Sequence, residues 1–149
     1  MPLQYTCASL KDEGRCGKEH RMGEKKILVV DDEKAILDLF KKAFTRYGYV
    51  VRTAESGEEA LGIVKDEKIW VMFLDLKLPG MTGVELCRRI RKEYPLTIAF
   101  AVTGYASLFV LSDCREAGFD DYFVKPVDLS LLVYAAEKAF ERLERWGNK

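Results

Sequence analysis

The feature that most restricts the fold of this chain is a repeated change in the spacing of its apolar residues. From Lys26 onward, short apolar runs typical of β-strands alternate with segments whose apolar residues recur with a helical period. The strand-like runs are residues 27–30, 49–54, 70–74, 97–102 and 122–124. Because this alternation is typical of βα units, we expect an α/β fold built from five of them.

The composition of the strands predicts how the sheet is arranged. The first, third and fourth runs are almost continuously apolar, as expected when helices cover both faces of a parallel sheet. We therefore expect a doubly wound parallel sheet. In such sheets, functional side chains collect at the carboxyl ends of the strands, beside the point where the strand order reverses.

Several helix ends can also be predicted. Ser56 and Thr82 are each followed three residues later by a glutamate, which is the spacing of a capping box and predicts that helices 2 and 3 begin there. Gly48 and Gly118 predict the ends of helices 1 and 4. The last helix carries an apolar stripe formed by Leu132, Ala135, Ala139, Leu143 and Trp146.

Composition excludes several classes of protein. Lys plus Arg balance Asp plus Glu at 24 each, so no overall charge attracts DNA or an anionic membrane. The apolar runs are too short to span a bilayer, and the chain begins without a signal-peptide stretch. The four cysteines lack the spacing of a disulfide framework. We therefore expect a soluble cytoplasmic protein with one ordinary domain.

The first 24 residues differ from the rest because they have no apolar period. Cys7, Cys16 and His20 could be interpreted as metal ligands, but they include no CxxC pair and no fourth ligand. We therefore interpret residues 1–24 as a disordered extension and residues 25–146 as the folded domain.

Polar side chains stand where four of the five predicted strands end. Asp31 and Asp32 follow strand 1, Asp75 follows strand 3, Thr103 follows strand 4, and Lys125 follows strand 5. Each alone has an ordinary explanation: a helix cap, a turn, a β-forming residue or a surface lysine. Their matching topological positions favour a functional site instead.

The charges of this set indicate which ligand it binds. Converging carboxylates repel each other and raise one another's pKa values unless a cation lies between them. Oxygen ligands in a shallow cleft suit Mg²⁺, which is typically held by one or two carboxylates while it coordinates phosphoryl oxygens. A carboxylate beside Mg²⁺ can attack a phosphoryl group, while the metal and the Lys125 ammonium neutralise the transferring oxygens.

At these residues the sequence resembles the response-regulator receiver domain of two-component signalling. The resemblance rests on "ILVVDDE", "FLDLKLPGMTGVEL", "AVTGYA" and "DDYFVKP", and it covers about residues 25 to 145. It implies a flavodoxin-like (βα)5 fold with the strand order 2-1-3-4-5. It also implies a cis peptide bond before Pro126.

The resemblance also implies a role for each site residue. Asp75 would be the phosphoacceptor. Asp32 would be the principal Mg²⁺ ligand, with Asp31 assisting through water and the backbone carbonyl of Lys77 as a further ligand. Thr103 would bond the phosphoryl group, and Lys125 would pair with it. Tyr122 would turn inward on activation.

Lys77 and Tyr105 occupy positions that vary among receivers, two residues after Asp75 and Thr103 respectively. Lys77 could lean over the phosphoryl group or point to solvent. Tyr105 could shield the acyl phosphate or only cover the rim.

Receivers take the phosphoryl group from a histidine kinase or a phosphotransfer protein, and we expect the same partners here. Only about two dozen residues follow Pro126, so no effector domain fits there. We expect output by binding a downstream protein, or by a phosphorylation-dependent homodimer, with no direct DNA or membrane binding. The chain would be a switch with self-catalysed phosphotransfer and autodephosphorylation, not an enzyme.

Three other classes of protein fit the sequence less well. A Mg²⁺-dependent aspartyl-phosphate phosphohydrolase typically has a second aspartate two residues after the nucleophile, where this chain has Lys77. A pseudo-receiver scaffold is disfavoured by the complete set of acids, hydroxyl and lysine. A dinucleotide-binding module is weaker, because no GxGxxG follows strand 1.

Overall fold

The computed structural model describes residues 23–104 and 108–147, except for the side chains of residues 108 and 109. Of the predicted extension, only Gly23 and Glu24 lie within this part, and both are exposed. The elements are β1 Lys26–Val30, α1 Lys34–Arg46, β2 Val50–Ala54, α2 Gly57–Asp66, β3 Val71–Asp75, α3 Gly83–Glu93, β4 Ile98–Thr103, α4 Leu108–Ala117, β5 Asp121–Val124 and α5 Leu129–Gly147. Five strands therefore alternate with five helices, as predicted.

The five strands form one parallel sheet with the order β2-β1-β3-β4-β5, which confirms the predicted topology. The strand order reverses at β1, which lies between β2 and β3. Val30 is paired with Leu74, so the residues that follow them, Asp31 and Asp75, lie at the same level at this edge of the sheet. On the other side of β3, Asp75 is paired with Val102.

Two apolar cores lie on opposite faces of the sheet because successive strand residues point to opposite sides. In β1, Leu28 and Val30 belong to the core under α2, α3 and α4. Ile27 and Val29 belong to the core under α1 and α5. Strands β1, β3 and β4 are thus buried on both faces, which explains why their sequences are almost continuously apolar.

The predicted helix starts are confirmed by hydrogen bonds. The Ser56 hydroxyl accepts the Glu59 N–H at 3.1 Å, and the Thr82 hydroxyl accepts the Glu85 N–H at 3.2 Å. These caps satisfy amide groups that the first helical turn leaves without a partner. Gly118 ends α4 with a positive φ of 103°, a conformation that favours glycine.

The stripe predicted along α5 is only partly buried. Leu132 and Ala139 are buried, whereas Trp146 is 67% exposed. The 19 residues of α5 extend about 28 Å at a rise of about 1.5 Å per residue, which is longer than the adjacent strands. Its last turn therefore passes the sheet edge where the strands begin. No helix among the described residues is long and apolar enough to cross a membrane.

Candidate functional site

The predicted site residues lie together at the carboxyl edge of the sheet. Asp31 follows β1, Asp75 is the last residue of β3, and Thr103 is the last residue of β4. All three are buried, with exposed fractions of 2%, 6% and 3% respectively. Lys125 follows β5, and its N–H donates to the Thr103 carbonyl at 2.7 Å, which ties the ends of β4 and β5 together. Asp32 is exposed at the mouth of the site.

Lys125 links the two buried carboxylates. Its ammonium donates to Oδ2 of Asp31 at 2.8 Å and to Oδ2 of Asp75 at 3.5 Å. The other carboxylate oxygen of Asp31 accepts the Glu33 N–H at 2.9 Å. Asp31 is therefore held from both sides, by the start of α1 and by the end of β5.

The backbone after β3 holds Asp75 in place. Oδ1 of Asp75 accepts the Lys77 N–H at 3.2 Å, and the Gly83 N–H donates to the Leu76 carbonyl at 3.1 Å. A Cβ atom at Gly83 would lie 2.1 Å from the Asp75 carbonyl oxygen. Only glycine therefore allows the start of α3 to pack this closely against the end of β3.

Burial and the neighbouring charges together set the protonation behaviour of the site. It raises the pKa of Asp75, and the charge of Asp31 raises it further, although the Lys77 N–H and the Lys125 ammonium act in the opposite direction. Burial lowers the pKa of Lys125, but the hydrogen bond to Asp31 and the charges of Asp75 and Asp31 outweigh it, so that pKa is raised. Lys125 is thus a stable cation between two acids.

The carboxylates fit a divalent cation. One oxygen from each of Asp31, Asp32 and Asp75 lies within 4.8 Å of the other two. When ionised, these three groups carry three negative charges, and Lys125 supplies one positive charge. The donor set contains only hard oxygen atoms, which suits Mg²⁺ or Ca²⁺.

The remaining predicted residues have different positions. Tyr122 lies in β5 and is 40% exposed. Lys77, two residues after Asp75, is also exposed. The peptide bond between Lys125 and Pro126 is cis, as predicted. Tyr105 lies outside the described residues, so its predicted role stays a prediction.

Two features of the site were not predicted from the sequence. The first is the contact between Asp31 and Lys125, since Asp31 was assigned only an assisting role toward the metal. The second is the packing of Gly83 on Asp75. The only available signal was that this glycine directly follows the predicted cap residue Thr82.

Comparisons with known proteins identify the family of this chain. The family model of the response regulator receiver domain matches residues 27–137. The sporulation initiation phosphotransferase F of Bacillus subtilis is 33% identical over 117 residues, which cover 78% of this chain and 94% of that protein. The chain spans only 28%, 52% and 43% of the length of three other curated relatives.

Solved structures share the fold. A CheY-like receiver domain protein from Methanospirillum hungatei has a TM-score of 0.80 at 36% identity, covering 83% of this chain and 98% of that chain. A Burkholderia pseudomallei response regulator, solved with a phosphorylated aspartic acid, a calcium ion and citrate, has a TM-score of 0.72 at 27% identity, covering 82% of this chain and 72% of that chain. Together with the family match over most of the chain, these likenesses establish that this protein belongs to the response regulator receiver domain family.

Proposed function

We propose that residues 25–146 form a phosphoacceptor switch in which Asp75 receives the phosphoryl group. The observation that carries the proposal is the buried Asp75 carboxylate at the end of β3, with Lys125 3.5 Å away and two further carboxylates within 4.8 Å. The phosphorylated aspartate in the related Burkholderia structure supports the same chemistry.

The reaction follows from the groups at the site. A carboxylate oxygen of Asp75 attacks the phosphorus of a phosphohistidine on a kinase or phosphotransfer protein. The new O–P bond forms as the N–P bond breaks, and the leaving imidazole keeps the electron pair and takes a proton. Asp75 must be ionised to attack, and burial raises its pKa, so a cation close to the carboxylate favours the reactive form. Lys125 neutralises part of the charge on the transferring oxygens.

We propose Mg²⁺ as the cofactor, held by Asp32 and Asp75, with Asp31 assisting and the carbonyl of Lys77 as a further ligand. A bound Mg²⁺ would neutralise the charge spread over the phosphoryl oxygens. Asp31 suits an assisting role because both its oxygens already accept hydrogen bonds, from Lys125 and Glu33. Asp32 suits direct ligation because its side chain is exposed at the site mouth.

For the output we propose the surface formed by α4, β5 and α5. Thr103 and Lys125 would both bond the phosphoryl group, and Tyr122 would turn inward into space that Thr103 leaves. Tyr122 lies one residue before Phe123 in β5. Phe123 is paired with Val102, which directly precedes Thr103 in β4. The surface carries exposed apolar side chains, including Val124 and Tyr134, that suit a downstream protein or a second phosphorylated copy.

Phosphorylation with acetyl phosphate tests the acceptor assignment. Intact-protein mass spectrometry of the full chain should detect one added phosphoryl group with Mg²⁺ and none with EDTA. Asp75→Asn keeps the shape of the side chain but should abolish labelling, whereas Asp66→Asn, an exposed carboxylate at the end of α2, should label like wild type. Equal labelling of Asp75→Asn and wild type would contradict the assignment.

The same measurement separates the alternatives. A phosphohydrolase would consume acetyl phosphate through many rapid turnovers, and a pseudo-receiver would not be labelled. We propose neither, because an exposed Lys77 stands where a phosphohydrolase typically has an acid-base aspartate, and because the acids, Thr103 and Lys125 are all in place.

Hydrogen exchange tests the output surface. With beryllofluoride as a phosphoryl mimic, protection should change within residues 108–140. Changes confined to α1 and α2 would refute the proposed output surface without affecting the acceptor assignment.

A further inference from the structure

Helix α4 is held unevenly along its length. It follows β4, whose last residue is Thr103, so its amino end lies near the carboxyl edge of the sheet and its carboxyl end lies where the strands begin. Among the described side chains of α4, the buried ones are Cys114 and Ala117, and both belong to the carboxyl half. Residues 110–113 are partly buried or exposed. The apolar core therefore holds the carboxyl half of α4 more firmly than the amino half.

Hydrogen bonds to the backbone close the carboxyl end of α4. The Gly118 N–H donates to the carbonyls of Cys114 and Arg115, at 3.2 and 3.1 Å. From α3, Sγ of Cys87 donates to the Ala117 carbonyl at 3.5 Å. These bonds satisfy carbonyl groups that the last helical turn leaves without a partner inside the helix.

Arg91 of α3 forms a clamp at the same place. Its guanidinium donates to the backbone carbonyls of Pro95, Thr97 and Gly118. It also forms an ion pair with Asp120, which directly precedes β5, at 3.1 Å. A guanidinium presents its donors in a rigid fork, so one side chain can hold several acceptors in a fixed arrangement. Arg91 thus ties the end of α4 to α3 and to the starts of β4 and β5.

Asp120 extends this clamp to α5. Its Oδ2 also accepts the Ala99 N–H of β4 at 3.0 Å, and its Oδ1 accepts a hydrogen bond from Arg142 of α5 at 3.3 Å. The side chains of Arg91 and Asp120 are 26% and 29% exposed, so water screens this ion pair less than a pair on the open surface. We call Arg91, Asp120 and Arg142 the basal network, because they lie toward the edge where the strands begin.

The phosphoacceptor site lies at the other end of α4. In the proposed switch Thr103 moves toward a phosphoryl group on Asp75, so the displacement reaches α4 at its amino end. The 10 residues of α4 form a rod of about 15 Å, and its internal hydrogen bonds resist bending. A rod that is displaced at one end and fixed at the other turns about the fixed end.

We infer that α4 pivots about its carboxyl end when the switch responds, with the basal network as the pivot and Arg91 as its positioning residue. The inference rests on the proposed output surface and specifies which part of that surface changes. The amino half of α4 moves, whereas residues 116–120 keep their place. A partner that distinguishes the two states therefore reads the amino half of α4.

Hydrogen exchange of single backbone amides, followed by NMR on the full chain, tests the inference with and without beryllofluoride and Mg²⁺. The amides of residues 112 and 113 report on the amino half, because in a helix they bond to carbonyls four residues earlier. In wild type their protection should change by about threefold or more, while residues 116–120 change less than this.

Arg91→Lys keeps the charge but removes the fork that holds four acceptors, so the change caused by beryllofluoride should extend to residues 116–120. Asp120→Asn keeps the shape of the side chain but removes the ion pair, and it should have the same effect. Arg89→Lys is the matched control, because Arg89 pairs only along the exposed surface of α3, with Glu85 at 2.9 Å, and this variant should respond like wild type. Circular dichroism checks folding, and acetyl phosphate should label all three variants.

The outcomes separate the pivot from a purely structural role. If Arg91→Lys raised the exchange of residues 116–120 equally with and without beryllofluoride, Arg91 would only stabilise the fold and the inference would be overturned. A change of equal size along the whole of α4 in wild type would also overturn it and would leave the output surface in place. No change within residues 108–140 would refute the output surface and the pivot together.

Discussion

The ammonium of Lys125 lies 2.8 Å from Oδ2 of Asp31, although the two residues are 94 positions apart in the chain. This ion pair joins the end of β5 to the end of β1 across the strand ends of β3 and β4. It gives Lys125 a partner before any phosphoryl group arrives. The ammonium has three N–H donors, so in the proposed switch Lys125 could bond a phosphoryl oxygen while it still donates to Asp31.

The first prediction concerns stability without metal. Lys125→Met keeps the apolar stem but leaves the buried Asp31 and Asp75 without a cation, which should lower the free energy of unfolding by about 1–3 kcal/mol. Mg²⁺ should restore part of the loss. Urea unfolding with EDTA and with Mg²⁺ measures both effects, and Lys65→Met on the exposed surface of α2 is the control. An unchanged unfolding midpoint for Lys125→Met would contradict the structural role of the ion pair.

The second prediction separates phosphate acceptance from the response to it. Thr103→Ala and Lys125→Ala should still be labelled by acetyl phosphate, because Asp75 and the metal ligands remain. Backbone chemical-shift changes near Tyr122 should be reduced in both, since each variant lacks a group that the phosphoryl oxygens would bond. A full wild-type pattern of shifts in both variants would exclude this division of roles.

The third prediction concerns pH. The Asp75 pKa is raised above its ordinary value of 3.8 by burial first and by the charge of Asp31 next. A raised pKa in the folded state favours the protonated carboxyl, so ionisation costs stability as pH rises from 3.8 through the folded-state pKa. Without Mg²⁺, Asp75→Asn should therefore be more stable than wild type at pH 7.

The difference between Asp75→Asn and wild type should shrink as pH falls through the folded-state pKa and below 3.8, where the wild-type carboxyl becomes protonated in both states. Thermal unfolding in EDTA over a pH series measures the difference. Equal stability of the two proteins at pH 7 would show that the Asp75 charge is fully compensated without metal.

The fourth prediction compares two glycines. In Gly83→Ala the new Cβ would lie 2.1 Å from the Asp75 carbonyl oxygen, so α3 must move away from β3. The expected loss of unfolding free energy is at least about 3 kcal/mol, with weaker Mg²⁺ binding because Asp75 moves. In Gly62→Ala no atom lies within 4 Å of the new Cβ, so this variant in α2 should gain about 0.5–1 kcal/mol of stability. Chemical denaturation of both variants checks the contrast.

Much of the fold could be predicted from the sequence because its signals are local. The apolar runs predicted every strand to within one residue at each end, and the spacing of Ser56 to Glu59 predicted the start of α2. The grouping of Asp31, Asp75 and Lys125 could be predicted as well. Parallel strands all present their carboxyl ends at one edge, so residues that follow them must lie near each other.

Other features depend on distances that no local pattern encodes. The periodicity of α5 identifies its buried face but not where the sheet beneath it ends, so the exposure of Trp146 was not predicted. The contact between Asp31 and Lys125 depends on the side-chain conformations of two residues on different strands. The direction of Lys77 had two open interpretations, and its exposure favours the one in which it points to solvent.

The last prediction concerns a buried hydroxyl. Thr97, which precedes β4, is 1% exposed, and its Oγ1 has no hydrogen-bond partner within residues 23–104 and 108–147. Burying a hydroxyl without a partner is unfavourable, so Thr97→Val should raise the free energy of unfolding by about 1 kcal/mol. Thr97→Ser keeps the hydroxyl and removes a methyl group, so it should lower the free energy of unfolding by about 0.8 kcal/mol. Urea unfolding of the two variants provides the comparison. Destabilisation by Thr97→Val would indicate that this hydroxyl is hydrogen-bonded in solution.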